Sequence, residues 1–150
     1  MGVVNVTITD FYMDFSGLAN SQKYFDYSDT TGFHNVTADI SIGGTDKFPI
    51  IFTASTLIYG GFDMDVNGDN LFTTYIEAKY VTNKYEFFIG GLTGKSGFYM
   101  NEYDGFGIVN IGATFLRDIE ITNKFAIPIS TSLVVNPQGE KLFLAFVATF

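Results

Sequence analysis

Cysteine is absent from these 150 residues, which removes disulfides, thiolate metal sites and thiol nucleophiles. Charge is scarce: Asp, Glu, Lys and Arg make up 16% of the chain, against about 25% in typical soluble domains. That is too little to cover a fully water-exposed surface. The balance is acidic, net −8, which argues against nucleic acid and against polybasic attraction to anionic lipid. No apolar run approaches the about 18 residues a transmembrane helix needs. Histidine occurs once, as His34, which excludes a His-rich metal site. Met1-Gly2-Val3 opens neither the basic start nor the apolar run of a signal peptide. An exported form is therefore expected to have lost its signal, or the start is that of a truncated form.

Apolar residues nonetheless reach 47% and aromatics 17%, dispersed among Thr, Ser, Asn and Gly. A β-barrel in lipid requires that mixture, because one side chain in two faces the membrane. Period-two alternation recurs along the chain and helical spacing almost nowhere. It predicts eight strands in one domain, at about 3–13, 34–43, 49–60, 71–82, 84–92, 105–117, 119–135 and 140–150. Most are about 9–13 residues, the length of tilted membrane-spanning strands.

The alternation assigns faces. In 119–135, Ile119, Ile121, Phe125, Ile127, Ile129, Leu133 and Val135 oppose Glu120, Thr122, Lys124, Ser130 and Ser132. In 105–117, Val109, Ile111, Ala113 and Phe115 oppose Asn110, Gly112 and Thr114; in 71–82, Phe72, Ile76, Ala78 and Tyr80 oppose Thr73, Tyr75, Glu77 and Lys79. Pro128 cannot donate to a ladder, so a bulge is expected there. The connections alternate: long at 14–33, 61–70 and 93–104, short at 44–48, at 83 and at Arg117-Asp118, with Asn136-Pro137-Gln138-Gly139 closing the last hairpin. Long loops on one side and short turns on the other is the asymmetry of outer-membrane barrels, and it places both termini on the short-turn side.

A soluble lipocalin-like barrel hides its apolar face and a membrane barrel displays it. Display is favoured because the polar faces are mainly Thr, Ser, Asn and Gly, and because Tyr59, Phe72, Tyr80, Tyr85 and Phe106 fall near strand ends, where interfacial girdles sit. The last strand carries Leu142, Leu144, Phe146, Ala148 and Phe150 on one face. Its Phe146 and terminal Phe150 are candidates for the signal read by the outer-membrane assembly machinery. In lipid that strand is expected to close against the first one present, unless another chain completes the barrel.

Several short runs also occur together: Thr7-Ile8-Thr9-Asp10-Phe11-Tyr12, His34, Phe48-Pro49-Ile50 and Ile58-Tyr59-Gly60-Gly61-Phe62-Asp63, then Thr74-Tyr75-Ile76-Glu77, Val109-Asn110-Ile111-Gly112 and Val135-Asn136-Pro137. In order and spacing they resemble the C-terminal two-thirds of a TorF-like family of outer-membrane porins. The resemblance implies an outer-membrane location, passive passage of small solutes, and about four further strands on the N-terminal side in family members. This chain would then be the C-terminal part of a larger barrel.

Three motifs invite chemistry. Asp63-Met64-Asp65-Val66-Asn67-Gly68-Asp69 matches the first half of a calcium loop, so Asp63, Asp65 and Asn67 form a weak Ca²⁺ candidate. Thr74 stands at the twelfth position in place of a bidentate Glu, and an Asn-Gly hairpin tip is the plainer reading. His34 has Asp39 and Ser41 nearby in sequence but no nucleophile motif around them, so no catalytic residue is assigned. Gly90-Gly91-Leu92-Thr93-Gly94-Lys95-Ser96 misses the phosphate-loop spacing by one residue, and no helix follows.

The expectation is an antiparallel up-and-down transmembrane β-barrel that is not an enzyme and needs no cofactor. Its partners would be the lipid bilayer, the assembly machinery and small solutes. Glu77, Lys79, Glu86, Asn110, Thr114, Glu120 and Lys124 are the candidates to line its lumen. The alternatives are a plugged barrel serving as anchor or adhesin, and a soluble β-barrel for a small ligand.

Overall fold

The computed structural model describes residues 3–12, 24–28, 32–96, 101 and 104–149. Among them are eight strands: β1 (Val3–Tyr12), β2 (His34–Thr45), β3 (Phe48–Tyr59), β4 (Thr74–Val81), β5 (Tyr85–Leu92), β6 (Gly107–Thr122), β7 (Phe125–Asn136) and β8 (Lys141–Ala148). The only helical element described is a 3₁₀ turn at Gly61–Asp63. The strands form one antiparallel sheet in the order of the chain, each paired with its sequence neighbours, and the sheet curls into a half-barrel. Tight turns at 46–47, 82–84 and 123–124 join the strands at one end, and the segments 13–33, 60–73 and 93–106 with the four-residue turn 137–140 join them at the other.

Register makes the period-two pattern continuous from strand to strand. Val6 lies beside Ile40, Ile40 beside Ala54, Ala54 beside Ile76, and Ala78 beside Ile89. Ile89 continues to Ile111, Ile111 to Val135, and Val135 to Leu142. This apolar face is the outer one, and its residues stay roughly half exposed along the central strands. The inner face carries Thr37, Asp39, Ser55, Glu77, Lys79, Glu86, Thr114 and Ser132, and Thr37 and Thr114 are only 8% exposed. The outer face is apolar across the sheet, the inner face is mainly polar from β2 to β6, and β8 is apolar on both faces. Leu92 and Val109, both at the long-loop end, are the only described apolar side chains that are fully buried.

Outer-face aromatics gather toward the short-turn end. Tyr85 packs on Phe115 (ring centroids 5.5 Å apart) and near Phe87 (6.4 Å), Phe48 lies 6.4 Å from Phe52, and Tyr80 sits beside Phe87 in the ladder. At the other end Phe72 and Phe106 are exposed, and the Tyr59 hydroxyl donates to the carbonyl of Tyr27.

Four expectations need correction. Arg117-Asp118 is not a turn: β6 runs on to Thr122, with Arg117 opposite Ile129 and Asp118 opposite Pro128, and the hairpin closes at Asn123-Lys124. Two adjacent charges suggest a turn, yet on a strand they fall on opposite faces, and the alternation continues through them. Ile119 and Ile121 keep their assigned phase, since Ile119 pairs with Ile127. The bulge is not at Pro128 but between Glu120 and Thr122. Pro128 offers its carbonyl to the Thr149 amide at 3.0 Å, so its missing N–H falls on the β8 side, just where β8 stops at Ala148.

β4 starts at Thr74 rather than at residue 71. Phe72 adopts φ 52°, which no strand continues through, and the Thr73 amide is taken by Asp63 Oδ2 at 2.6 Å. Finally, β8 does not close on β1: among the described residues no ladder joins them, and each pairs with one strand only. Closure depends on curvature summed over every strand pair, which local alternation does not encode.

Candidate functional site

The inner wall holds two polar clusters. In the first, Lys79 Nζ lies 3.5 Å from Glu77 Oε1 and 4.0 Å from Glu86 Oε2, and 5.7 Å above the Phe88 ring. The three charges come together because Lys79 and Glu77 are two residues apart on β4, and β5 brings Glu86 alongside at Val81. Tyr75 donates its hydroxyl to Glu77 at 2.7 Å and accepts Asn110 Nδ2 at 3.2 Å, extending the cluster to β6. Thr114 and Ser132 share a 2.8 Å hydroxyl hydrogen bond between β6 and β7. Five lumen-lining candidates, Glu77, Lys79, Glu86, Asn110 and Thr114, thus lie on the inner wall.

The other two do not join them. Glu120 is exposed opposite Ala126, near the tip of the β6–β7 hairpin. Lys124 belongs to no strand; it sits in the turn itself, its amide donating to Thr122 Oγ1 at 3.3 Å. Its expected place on a strand face followed from putting the turn at Arg117-Asp118, and falls with it. Phe146 is exposed on the outer face opposite Thr131, and Phe150 lies outside the described residues.

The second cluster was not expected. Asp39, on β2, accepts hydrogen bonds from Thr9 Oγ1 at 2.9 Å, from Thr37 Oγ1 at 3.0 Å and from the Ser55 hydroxyl. The donors come from three adjacent strands, with Thr7 and Ser55 the ladder neighbours of Asp39 on either side. The shared polar phase of Thr9, Asp39 and Ser55 was the available signal. Only the register makes it a contact.

The long-loop rim carries a third group. His34 opens β2 opposite Tyr12, beyond the outer apolar run of β1 that Asp10 terminates. Its imidazole is buried, with Nδ1 2.9 Å from Asp10 Oδ1 and 3.0 Å from Oδ2, and Nε2 2.5 Å from the carbonyl of Tyr24. The Tyr27 ring stacks on it at 3.9 Å, and Tyr12 and Tyr24 pack at 5.1 and 5.4 Å. The Tyr27 hydroxyl donates to Asp10 Oδ2 at 3.0 Å, and the neighbouring carboxylate raises the Tyr27 phenol above its ordinary pKa. Both ring nitrogens of His34 face acceptors, so the doubly protonated ring satisfies the site best. The Tyr24 carbonyl, followed by Asp10, accordingly holds the imidazole above its usual value. With Nε2 committed to a carbonyl, no ring nitrogen is left to take a proton from a nucleophile. Asp39 and Ser41 lie along the inner face of β2, and it is Asp10 that pairs with His34.

The calcium-like run forms a turn held by its own side chains. Asp65 Oδ1 accepts the amides of Asn67 (2.8 Å) and Asp69 (2.9 Å), and Oδ2 accepts Asn67 Nδ2 (3.0 Å). The Asp69 and Asn67 amides lower the Asp65 pKa below the ordinary carboxylate value. Asp63 instead takes the Thr73 amide, while its buried Oδ1 has no hydrogen-bond partner. Among the described residues no three His, Asp or Glu side chains gather as a metal site. Gly90 and Gly91 of the phosphate-loop-like run lie inside β5.

Compared with known proteins, the chain matches no family model, no curated protein and no solved structure.

Proposed function

We propose that this chain is a β-barrel element of the bacterial outer membrane, whose outer face meets lipid and whose inner wall lines a path for small polar solutes. One observation carries the reading: the outer face is apolar across the sheet while the inner face is mainly polar from β2 to β6, with two fully buried apolar side chains among the described residues. A water-soluble chain of this length needs a buried apolar core to offset its ordering entropy, and lipid removes that need. The aromatics at the short-turn end occupy the level of an interfacial girdle. The grouping of connections agrees with the outer-membrane pattern, and the resemblance to TorF-like porins points the same way. The plugged-anchor alternative shares the lipid-facing surface but not the solute path.

Flotation with phospholipid vesicles tests lipid contact, and planar-bilayer conductance tests the path. A monodisperse protein that stays soluble without detergent and ignores vesicles would sink the membrane reading. Flotation without conductance would leave the anchor.

A further inference from the structure

A notch opens at the short-turn end, where β6 runs past the start of β5. We propose that it binds the headgroup of an anionic phospholipid in the leaflet at that end, with Arg117 and Lys84 on the phosphodiester. The site rests on the lipid-facing reading and names the class of lipid that this face would select.

The notch follows from unequal strand lengths. The β5–β6 ladder ends with Tyr85 opposite Phe115, and the Leu116 amide makes one further bond, to the Lys84 carbonyl at 2.8 Å. β6 then continues to Thr122, paired with β7 alone. Residues 83–85 and 115–118 enclose about 470 Å³ there, room enough for a headgroup.

Its walls are part apolar and part cationic. Tyr85 and Phe115 pack together on the outer face, at the level of the aromatic girdle. Arg117 follows Phe115 in the same outer phase, opposite Ile129. It is the chain's single arginine, and it is exposed. Apart from Asp10 and His34, paired at the opposite end, no other charged residue occupies the outer phase of the described strands. A charge on a lipid-facing surface is tolerated where it reaches headgroups or water, so Arg117 marks that level. Lys84 lines the notch from the β4–β5 turn and supplies a second cation.

Neither cation is spent inside the protein. Among the described residues the ion pairs join His34 to Asp10 and Lys79 to Glu77 and Glu86, and none involves Lys84 or Arg117. Asp118 also lines the notch, but it alternates with Arg117, so its carboxylate belongs to the inner phase. Its backbone contributes a donor. Pro128, its ladder partner, bonds through its carbonyl toward β8, so by antiparallel alternation the Asp118 amide points away from β7, into the notch. A guanidinium fork, an ammonium and a backbone N–H suit a phosphodiester, while Tyr85 and Phe115 would meet the first acyl carbons. Free phosphate would leave that apolar wall unused. The chain's net −8 does not oppose this local attraction. The short-turn end holds Lys47, Lys84, Arg117 and Lys124 against Asp46, Asp118 and Glu120.

The full chain is refolded into phosphatidylcholine vesicles containing a trace of spin-labelled phosphatidylglycerol or spin-labelled phosphatidylcholine. The motionally restricted fraction of each label gives their relative association constant. Phosphatidylglycerol is expected to associate at least about fivefold more tightly, and Arg117→Gln and Lys84→Gln should each remove about a factor of five, the worth of one cation beside anionic lipid. Two separate variants guard against one that misfolds. Lys124→Gln, at the tip of the β6–β7 hairpin and outside the notch, should change the preference much less. An equal change there would mean diffuse attraction and overturn the site. So would wild-type protein that floats with the vesicles yet shows no preference between the two lipids. Displacement of the phosphatidylglycerol label by millimolar inorganic phosphate would make this a site for free phosphate, and would also overturn the proposal. Protein that does not float overturns the lipid-facing reading itself, and the proposal with it.

Discussion

The phenol of Tyr75 occupies the space where a side chain on Gly90 would begin: a Cβ there would overlap the Tyr75 hydroxyl and ring. Gly90 lies opposite Glu77 on the next strand, so the missing side chain lets Tyr75 lie flat on the wall and donate to Glu77. Gly112 makes the same room for the Phe88 ring, which lies under Lys79. These two glycines shape the inner wall.

Gly90→Val should therefore displace Tyr75 and break its hydrogen bonds to Glu77 and Asn110. The expected loss is about 1–3 kcal/mol, typical of overpacking. Tyr75→Phe should keep the ring in place and lose only the hydrogen bonds. Denaturant unfolding from lipid vesicles would rank the two, and a milder effect for Gly90→Val than for Tyr75→Phe would count against the packing account.

Lipid exposure can be read by arginine scanning. Ile40→Arg and Ile111→Arg place a charge in the middle of the outer apolar face, and each should cost about 2–4 kcal/mol of folding in bilayers. Thr53→Arg and Ser132→Arg, on the inner face, should be much milder. Ile127→Arg should fall between, because Ile127 lies in the β6–β7 hairpin beyond the level where β5 begins opposite Phe115. Equal tolerance at all five positions would refute the orientation of the sheet.

His34 should act as a pH-dependent tie between the rim and residues 24–28. Its folded pKa lies above the ordinary value of about 6.5. The sign follows: the stabilisation is fully present below the unfolded value and is lost as pH rises through the folded one. Limited proteolysis at 24–28 should then be slow in mild acid and faster in alkali. His34→Gln should abolish that dependence. Because His34 is the single histidine, its ring resonances titrate without overlap, and an apparent pKa below the ordinary value would contradict the two-acceptor geometry.

Calcium should bind no more tightly than about 10⁻⁴–10⁻³ M, the range of weak extracellular modules. Both Asp65 oxygens already serve their own turn, and Asp63 holds the Thr73 amide. Asp65→Ala should loosen the 65–69 turn, seen as faster amide exchange at Asn67 and Asp69, while leaving the strands intact. Submicromolar binding by calorimetry would mean that this turn opens to receive the ion.

The period of two, the dispersal of apolar residues and the spacing of turn residues were enough to read an all-β chain of eight antiparallel strands with long connections at one end. These are local signals, since each strand writes its own alternation. The phase of the isoleucines stayed correct even where the turn was misplaced: Ile119 and Ile127 are ladder partners on one side of the sheet. Tertiary structure alone decided the rest. The direction of curl made the polar face the inner one, and register drew Thr9, Thr37 and Ser55 onto Asp39. A loop returning to the rim set Tyr24 and Tyr27 on His34, which Asp10 holds from β1. Whether the edges meet is the sum of many small twists between strands, and no single stretch of sequence records that sum.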